Sequence, residues 1–333
     1  YGPTLGPLVV AASAFRIPET LLDAGPLRGR PAGSAPGAEA DGEAGTPDLW
    51  KLLSRSTARR PEDGRVEVED SKKLYQPGKG IRRLEEGALT FLQVCDGRLP
   101  AGFRSLVERL TGKPGGSRYL DLYPWYRGRD LALPAEAFPS QVRRAAGRVA
   151  EELRERGIEV LGIRAIPMEV LEFNHSLERR RNKSQVSFLS VGSLLRRLWA
   201  TYPAERIVVM VDRQGGRRRY GPLLFEQVRP RGLRIVKESE EISSYDLLRD
   251  GPSLRAAFAV DCEGRCFPVA LASMFCKYLR ELHMSIFNRF WGEQVERLRG
   301  TAGYATDARR FLADIAGARR ALEVDDAALI RRR

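Results

Sequence analysis

Three short runs constrain the fold most. L-V-V-A-A-S-A-F (8–15), I-E-V-L-G-I-R-A-I (158–166) and R-I-V-V-M-V-D (206–212) are strand-length and rich in apolar and β-branched residues. Between them lie stretches with helical spacing: Gly80 to Cys95, Pro139 to Arg156, and residues 182–199. Gly157 supplies the stop for the second of these. A long, mostly apolar run from Phe267 to Trp291 follows and is expected to be a helix, with shorter helices over 292–333. Strands interleaved with helices predict the α/β class, a mixed β-sheet flanked by helices. Extra β structure is expected over 213–260, with strands around 217–224, 233–238 and 254–261. The Gly/Ala/Pro/Glu tract beginning at residue 24 marks a flexible insertion over 24–64. A second, irregular insertion is expected over 96–138, rich in Gly, Pro and aromatic residues. The 333 residues, 43% of them apolar, suffice for one large core, and the chain is read as a single domain over 1–333.

Charge narrows the partners. With 56 basic and 43 acidic residues the formal net charge is +13, compatible with a polyanion such as nucleic acid or with an anionic membrane surface. No apolar run approaches the roughly 20 residues that span a bilayer, so no membrane partner is expected. The first ten residues lack the charged start of a secretory signal, which points to a cytoplasmic protein. Cys262, Cys266, Cys276 and His283 lack the two tight pairs of a zinc site, and a core role suits these cysteines better. With only two histidines, neither in an obvious site, hydrolytic chemistry would fall to carboxylates and a metal ion.

Several acids stand where such chemistry is placed. Asp212 ends a strand of continuous apolar residues, and ligands of α/β sheets gather at strand carboxyl ends. An acid there can equally cap the turn R-Q-G-G that follows. Glu263 sits at the next strand-to-helix crossing, with Asp261 as its rival two residues earlier. Asp70-Ser71-Lys72-Lys73 reads locally as a helix cap with solvated lysines, or as an anchor for phosphate. E-R-R-R-N (178–182) and G-R-R-R-Y (216–220) are solvated faces or tracks for a nucleic-acid backbone.

Taken in order, these segments resemble the type 2 ribonuclease H family, the ribonucleases HII and HIII. Y-G-P-T-L-G-P-L-V-V-A-A (1–12) is similar to the family's first strand just after its Asp-Glu-x-Gly motif, and D-S-K-K-L (70–74) to its Asp-Ser-Lys-Lys-Leu. F-N-H-S-L-E-R-R-R-N-K (173–183) resembles the Tyr-Asn…Asn motif of the HIII branch, placing Asn174 and Asn182 on its asparagines. I-V-V-M-V-D (207–212) resembles the strand carrying the third catalytic acid. E-G-R-C-F-P-V-A-L-A-S-M-F-C-K (263–277) resembles the segment from the fourth acid to a lysine, with Glu263 rather than Asp261 on the acid position. G-Y-A-T (303–306) resembles Gly-Tyr-x-Thr, whose tyrosine stacks on a sugar.

The resemblance implies a ribonuclease H-like fold and an endonuclease cutting the RNA strand of RNA/DNA hybrids, acting as a monomer with two Mg²⁺ or Mn²⁺ ions. Asp212 and Glu263 would be metal ligands. Tyr1, Gly2, Asp70, Ser71, Lys72, Lys73, Asn174, Asn182, Ser273, Lys277 and Tyr304 would contact substrate. The family's first two acids would precede Tyr1, so cleavage by this chain is expected to be impaired. A non-catalytic hybrid-binding module on the same fold is the rival expectation.

Overall fold

A computed structural model describes residues 4–24, 47–62, 64–75 and 80–332. The described elements, in chain order, are β1 (Leu8–Arg16), α1 (Leu49–Leu52), β2 (Thr57–Ala58), β3 (Val66–Glu67), α2 (Ser71–Leu74), α3 (Arg82–Asp96) and α4 (Phe103–Thr111). There follow α5 (Pro139–Glu155), β4 (Glu159–Met168), α6 (Val170–Arg180), α7 (Lys183–Thr201), β5 (Ile207–Asp212) and α8 (Gly221–Val228). β6 (Gly232–Glu238), β7 (Ile242–Arg249), β8 (Gly251–Ala259), α9 (Phe267–Gln294), α10 (Ala305–Asp314), α11 (Ala316–Ala321) and α12 (Asp326–Leu329) complete them. The architecture is mixed α/β, with small sheets and many helices.

Among the described residues β1 pairs only with β4, antiparallel, from Leu8↔Met168 to Arg16↔Glu159. β5 belongs to a separate four-stranded sheet, ordered β5-β8-β7-β6. β5 and β8 are parallel, with Asp212 opposite Ala259, and β8, β7 and β6 form an antiparallel meander.

The β1–β4 pair and the four-stranded sheet each have their own core, and the short parallel pair β2–β3 shares the first. α9 lies against β1 and β4, and its Phe267 ring is a hub. It meets Phe15, Trp50 and Phe91 edge-on at 6.0, 5.4 and 5.7 Å between centroids, tying β1, α1 and α3 to α9. Such edge-to-face contacts add about 1 kcal/mol each beyond simple burial. The helix α3 buries Leu84, Ala88, Leu89, Phe91 and Leu92 on one face and ends at Gly97, whose φ of 70° suits glycine. The second core packs Phe188, Val191, Leu195 and Trp199 of α7 onto Leu254, Ala256 and Phe258 of β8. Tyr220 stacks on Phe258 at 3.7 Å.

Three expectations need correction. Residues 47–62 are ordered rather than flexible: Leu49 and Leu53 enter the main core, and Ser56 is held by buried Glu152 through its amide (2.9 Å) and hydroxyl (2.6 Å). Residues 25–46 lie outside the described residues. The segment 96–138 is a core contributor, not an irregular insertion. Its Phe103, Leu106, Val107, Leu110, Leu120, Tyr123, Trp125 and Tyr126 are all buried, and α4 forms within it. The glycines and prolines that suggested irregularity only punctuate turns between these anchors. The strand expected over 217–224 is instead coil leading into α8, where Gly221-Pro222 opens the helix and Leu223, Leu224 and Val228 pack on the second core.

Candidate functional site

Between the β1 edge and the β5 edge runs a cleft of about 1450 Å³, floored by α9 and reached by Ser71, Lys72, Asp212, Glu263, Ser273, Lys277 and Tyr304. Tertiary structure thus gathers four separate segments, 71–72, 212, 263–277 and 304, around one space. Tyr1 and Gly2 lie outside the described residues.

Asp212 arrives by strand geometry as the last residue of β5. Its Oδ1 accepts the Cys262 amide at 3.0 Å, tying the end of β5 to the turn after β8. Burial raises the Asp212 carboxyl above its ordinary range, while the Cys262 amide and Lys72 oppose the shift. Glu263 follows in that turn, its side chain 15% exposed, with Lys72 Nζ 3.8 Å away. Burial raises its carboxyl too; nearby Asp70 reinforces the shift and Lys72 opposes it. Glu263 Oε2 and Ser273 Oγ are buried and have no hydrogen-bond partner among the described residues. Asp261, the rival acid, is exposed with φ of 50°, and it does not line the cleft.

The D-S-K-K segment divides into roles that its sequence could not separate. Asp70 caps α2, its Oδ1 accepting the Lys72 amide at 2.9 Å. Lys72 is 79% exposed and free to reach a phosphate beside Glu263. Lys73 turns the other way, 3.4 Å from the buried Glu69 carboxylate. Arg59 grips Glu69 with two hydrogen bonds, 2.8 and 3.1 Å, and donates a third to the Gly264 carbonyl at 2.7 Å. Burial works against ionisation of Glu69, but Arg59, the Asp70 amide and Lys73 together hold its carboxyl below the usual range. Arg59 therefore staples the segment before α2 to the loop carrying Glu263. No motif announced Arg59; the only hint was its place in a segment taken for an insertion.

On α9, Lys277 pairs with Glu281 at 2.8 Å and lies 4.2 Å over the Tyr75 ring. Arg280, one turn on, also lines the cleft and was missed. Its guanidinium sits 5.0 Å over Tyr304 and donates to the Ala302 carbonyl at 2.6 Å. Tyr304 itself is 47% exposed, an aromatic face available to a flat or sugar-like group.

Asn174 and Asn182 are not in the cleft. Asn174 is buried and fully occupied: Nδ2 donates to the Ala327 and Ile330 carbonyls, both at 2.8 Å, and Oδ1 accepts the Arg332 amide at 2.8 Å. It clamps the C-terminal segment. Asn182 caps α7 through the Ser184 and Gln185 amides at 3.0 and 3.3 Å. Both asparagines spend side-chain atoms on structural partners. The basic cluster at 216–220 is partly neutralised, with Arg218 on Glu240 at 2.7 Å and Arg219 on Glu238 at 3.7 Å.

The oxygen donors of Asp212 and Glu263, with the partnerless Glu263 Oε2, have the hard character that Mg²⁺ or Mn²⁺ prefers. Two carboxylates are too few for a metal pair, and among the described residues no three acidic, His or Cys side chains group closely enough to hold an ion. The described residues therefore do not by themselves fit a two-metal centre. Among them, no helix is long and apolar enough to cross a membrane.

Comparison with protein-family models, with curated proteins and with solved structures found no match to this chain.

Proposed function

We propose that this chain is a ribonuclease H-type protein, built to hold RNA/DNA hybrid across the cleft mouth and to hydrolyse the RNA strand. One observation carries the reading: Lys72 of the D-S-K-K segment stands 3.8 Å from Glu263, in a cleft that Asp212 also lines. Three of the segments that carry the family resemblance thus meet at one place. A divalent ion, Mg²⁺ or Mn²⁺, would supply charge neutralisation and water activation at a scissile phosphate. The residues of the chain itself divide the other tasks. Lys72 offers an exposed cation to a backbone phosphate, Tyr304 an aromatic face to a sugar, and the Arg59–Glu69 staple keeps the Glu263 loop in register with Lys72. Asp212 and Glu263 contribute oxygen ligands that need further carboxylates from outside the described residues.

The test is cleavage of an RNA/DNA hybrid with Mn²⁺ or Mg²⁺, before and after an Asp-Glu-Ala-Gly segment is joined ahead of Tyr1. A rise of orders of magnitude, abolished by Asp212→Asn, is the expected result. No rise, together with an indifferent Asp212→Asn, refutes the nuclease reading. A second reading, a hybrid-binding module without chemistry, is favoured by the lack of a three-carboxylate group among the described residues. It predicts salt-sensitive hybrid binding that ignores EDTA. In either case Lys72→Met should lower the slope of log affinity against log salt by about 1, and Lys73→Met, whose lysine is committed to Glu69, by less.

A further inference from the structure

Arg331 is a buried charge with nothing to balance it. Its Nε and Nη1 have no hydrogen-bond partner, and among the described residues no carboxylate lies within ion-pair reach. The guanidinium lies 4.3 Å over the Phe173 ring. Its position is firmly held. Asn174 grips the residues on either side, Nδ2 donating to the Ile330 carbonyl and Oδ1 accepting the Arg332 amide, both at 2.8 Å. The Arg331 amide itself donates to the Thr4 carbonyl at 2.9 Å.

A second buried guanidinium lies close by. The Thr4 and Leu5 amides donate to the Gly303 carbonyl at 2.7 and 3.1 Å, and Arg280 Nη2 donates to the adjoining Ala302 carbonyl at 2.6 Å. Arg280 is buried as well, and its Nε and Nη1 also lack a hydrogen-bond partner. Glu281, 3.5 Å from Arg280 Nη1, is shared with Lys277 at 2.8 Å. Three cations therefore meet one carboxylate, an excess of two positive charges. Burial, and next the neighbouring Arg280, lower Arg331 only to about 10, so it stays charged near neutral pH. Unpaired charge is costly to bury, and folded proteins normally offset it with an acid or a bound ion.

We propose that Arg331 and Arg280 form a binding site for a doubly charged tetrahedral oxyanion, either inorganic phosphate or the terminal phosphate of a nucleic-acid strand. Planar guanidinium forks match phosphate oxygens two at a time, and both forks here have nitrogens without acceptors. A dianion also balances the excess charge, which a singly charged backbone diester does not. Arg280 lines the cleft beside Tyr304 and Arg331 does not, so the anion enters from the cleft and Arg331 closes the site behind it. The site uses neither Asp212 nor Glu263 and stands whether or not the protein is a nuclease.

The test is urea unfolding of the parent and of Arg331→Met, in chloride and in phosphate at equal ionic strength. An anion held with a dissociation constant of about 1 mM raises the parent midpoint by roughly 0.6 M at about 20 mM phosphate. Arg331→Met should lose that rise. In chloride it should unfold no earlier than the parent, because methionine packs on Phe173 without a buried charge. A thymidine dinucleotide with and without a terminal phosphate separates the two sources. A rise with the phosphorylated form alone, and none with free phosphate, assigns the site to a strand end. The proposal is overturned if neither phosphate nor the phosphorylated dinucleotide moves the parent midpoint, or if Arg331→Met keeps the rise. Earlier unfolding of Arg331→Met in chloride, or its failure to fold, also overturns it, since the guanidinium then has a partner already. Hybrid cleavage is not read, so failure here is separate from failure of the nuclease reading.

Discussion

Replacing Glu85 tests whether α9, the floor of the cleft, is held by the polar network that the structure shows. Glu85 is fully buried on α3. Its Oε1 accepts the Ala135 amide at 2.7 Å and the Tyr278 hydroxyl at 2.6 Å, and its Oε2 accepts the Glu136 and Ala137 amides, both at 2.7 Å. One carboxylate thus joins α3, the 133–137 loop and α9. In Glu85→Gln one oxygen becomes an NH₂ donor. Placed at the Oε2 position it faces two amide donors. At the Oε1 position it faces only the Ala135 amide, because the Tyr278 hydroxyl can rotate to accept. The second placement wins, and Ala135 is exposed enough for water to take over its amide. Glu85→Gln should therefore cost only about 1.5 kcal/mol. Glu85→Ala removes all four acceptor contacts and leaves the buried Ala137 amide unpaired, a loss on the order of 4 kcal/mol. Urea unfolding reads the difference. With a slope of about 3 kcal/mol per molar, midpoints fall by roughly 0.5 M and 1.3 M respectively. The reasoning is refuted if Gln costs as much as Ala, or if neither moves the midpoint by 0.2 M, as an order-of-magnitude threshold.

Other expectations follow from the same coordinates. Burial raises Glu169 to about 8 and lowers His283 to about 4, and the two groups lie 3.3 Å apart. Near neutral pH the favoured arrangement is a neutral carboxyl beside a neutral imidazole, whose Nδ1 bonds the Leu279 carbonyl at 2.7 Å while Nε2 faces the Tyr119 hydroxyl at 3.4 Å. The Glu169 contribution is complete below the unfolded carboxyl value and declines as pH rises towards 8. Up to about 6.5 the lowered His283 contributes a rise that offsets it, so the net decline falls between about 6.5 and 8, and the flattening by Glu169→Gln is read there. The decline is at most about 1.4 kcal/mol per pH unit for one proton, and Glu169→Gln should flatten it in urea midpoints measured from pH 5 to 8. Parallel pH profiles for parent and variant would sink the neutral-pair assignment. Asn174→Ala should destabilise by about 2–3 kcal/mol, having lost three buried hydrogen bonds, yet leave hybrid affinity unchanged. A selective loss of affinity in a folded Asn174→Ala protein would instead return that residue to the substrate site.

Much of the architecture follows from local pattern. The runs at 8–15, 158–166 and 206–212 became β1, β4 and β5, because apolar, β-branched stretches of strand length have few other ways to bury both faces. α3 and α5 follow the 3.6-residue spacing of their apolar positions, α7 begins at its Asn182 cap, and α9 follows from its length and mostly apolar content. Asp212 at a strand end and Glu263 at a crossing were legible for the same reason: position within an element is a local property.

What local pattern could not supply was partnership. Lys72 and Lys73 are neighbours of one type, and only the buried Glu69 at one side and the cleft at the other assign them different tasks. Asn174 matched a motif, but its donors and acceptor are consumed by a C-terminal segment more than 150 residues away. The aromatics of 96–138 looked loose because their partners, Phe287 and Trp291 among them, lie on α9. The sequence alone determined most of the longer strands and helices, the basic excess and the order of the acid-bearing segments, which are set by residue type and short-range spacing. Tertiary structure alone decided which acids share a cleft and which lysine is spent on a buried carboxylate. Those are long-range matters of burial and hydrogen-bond supply, which no stretch of sequence carries by itself.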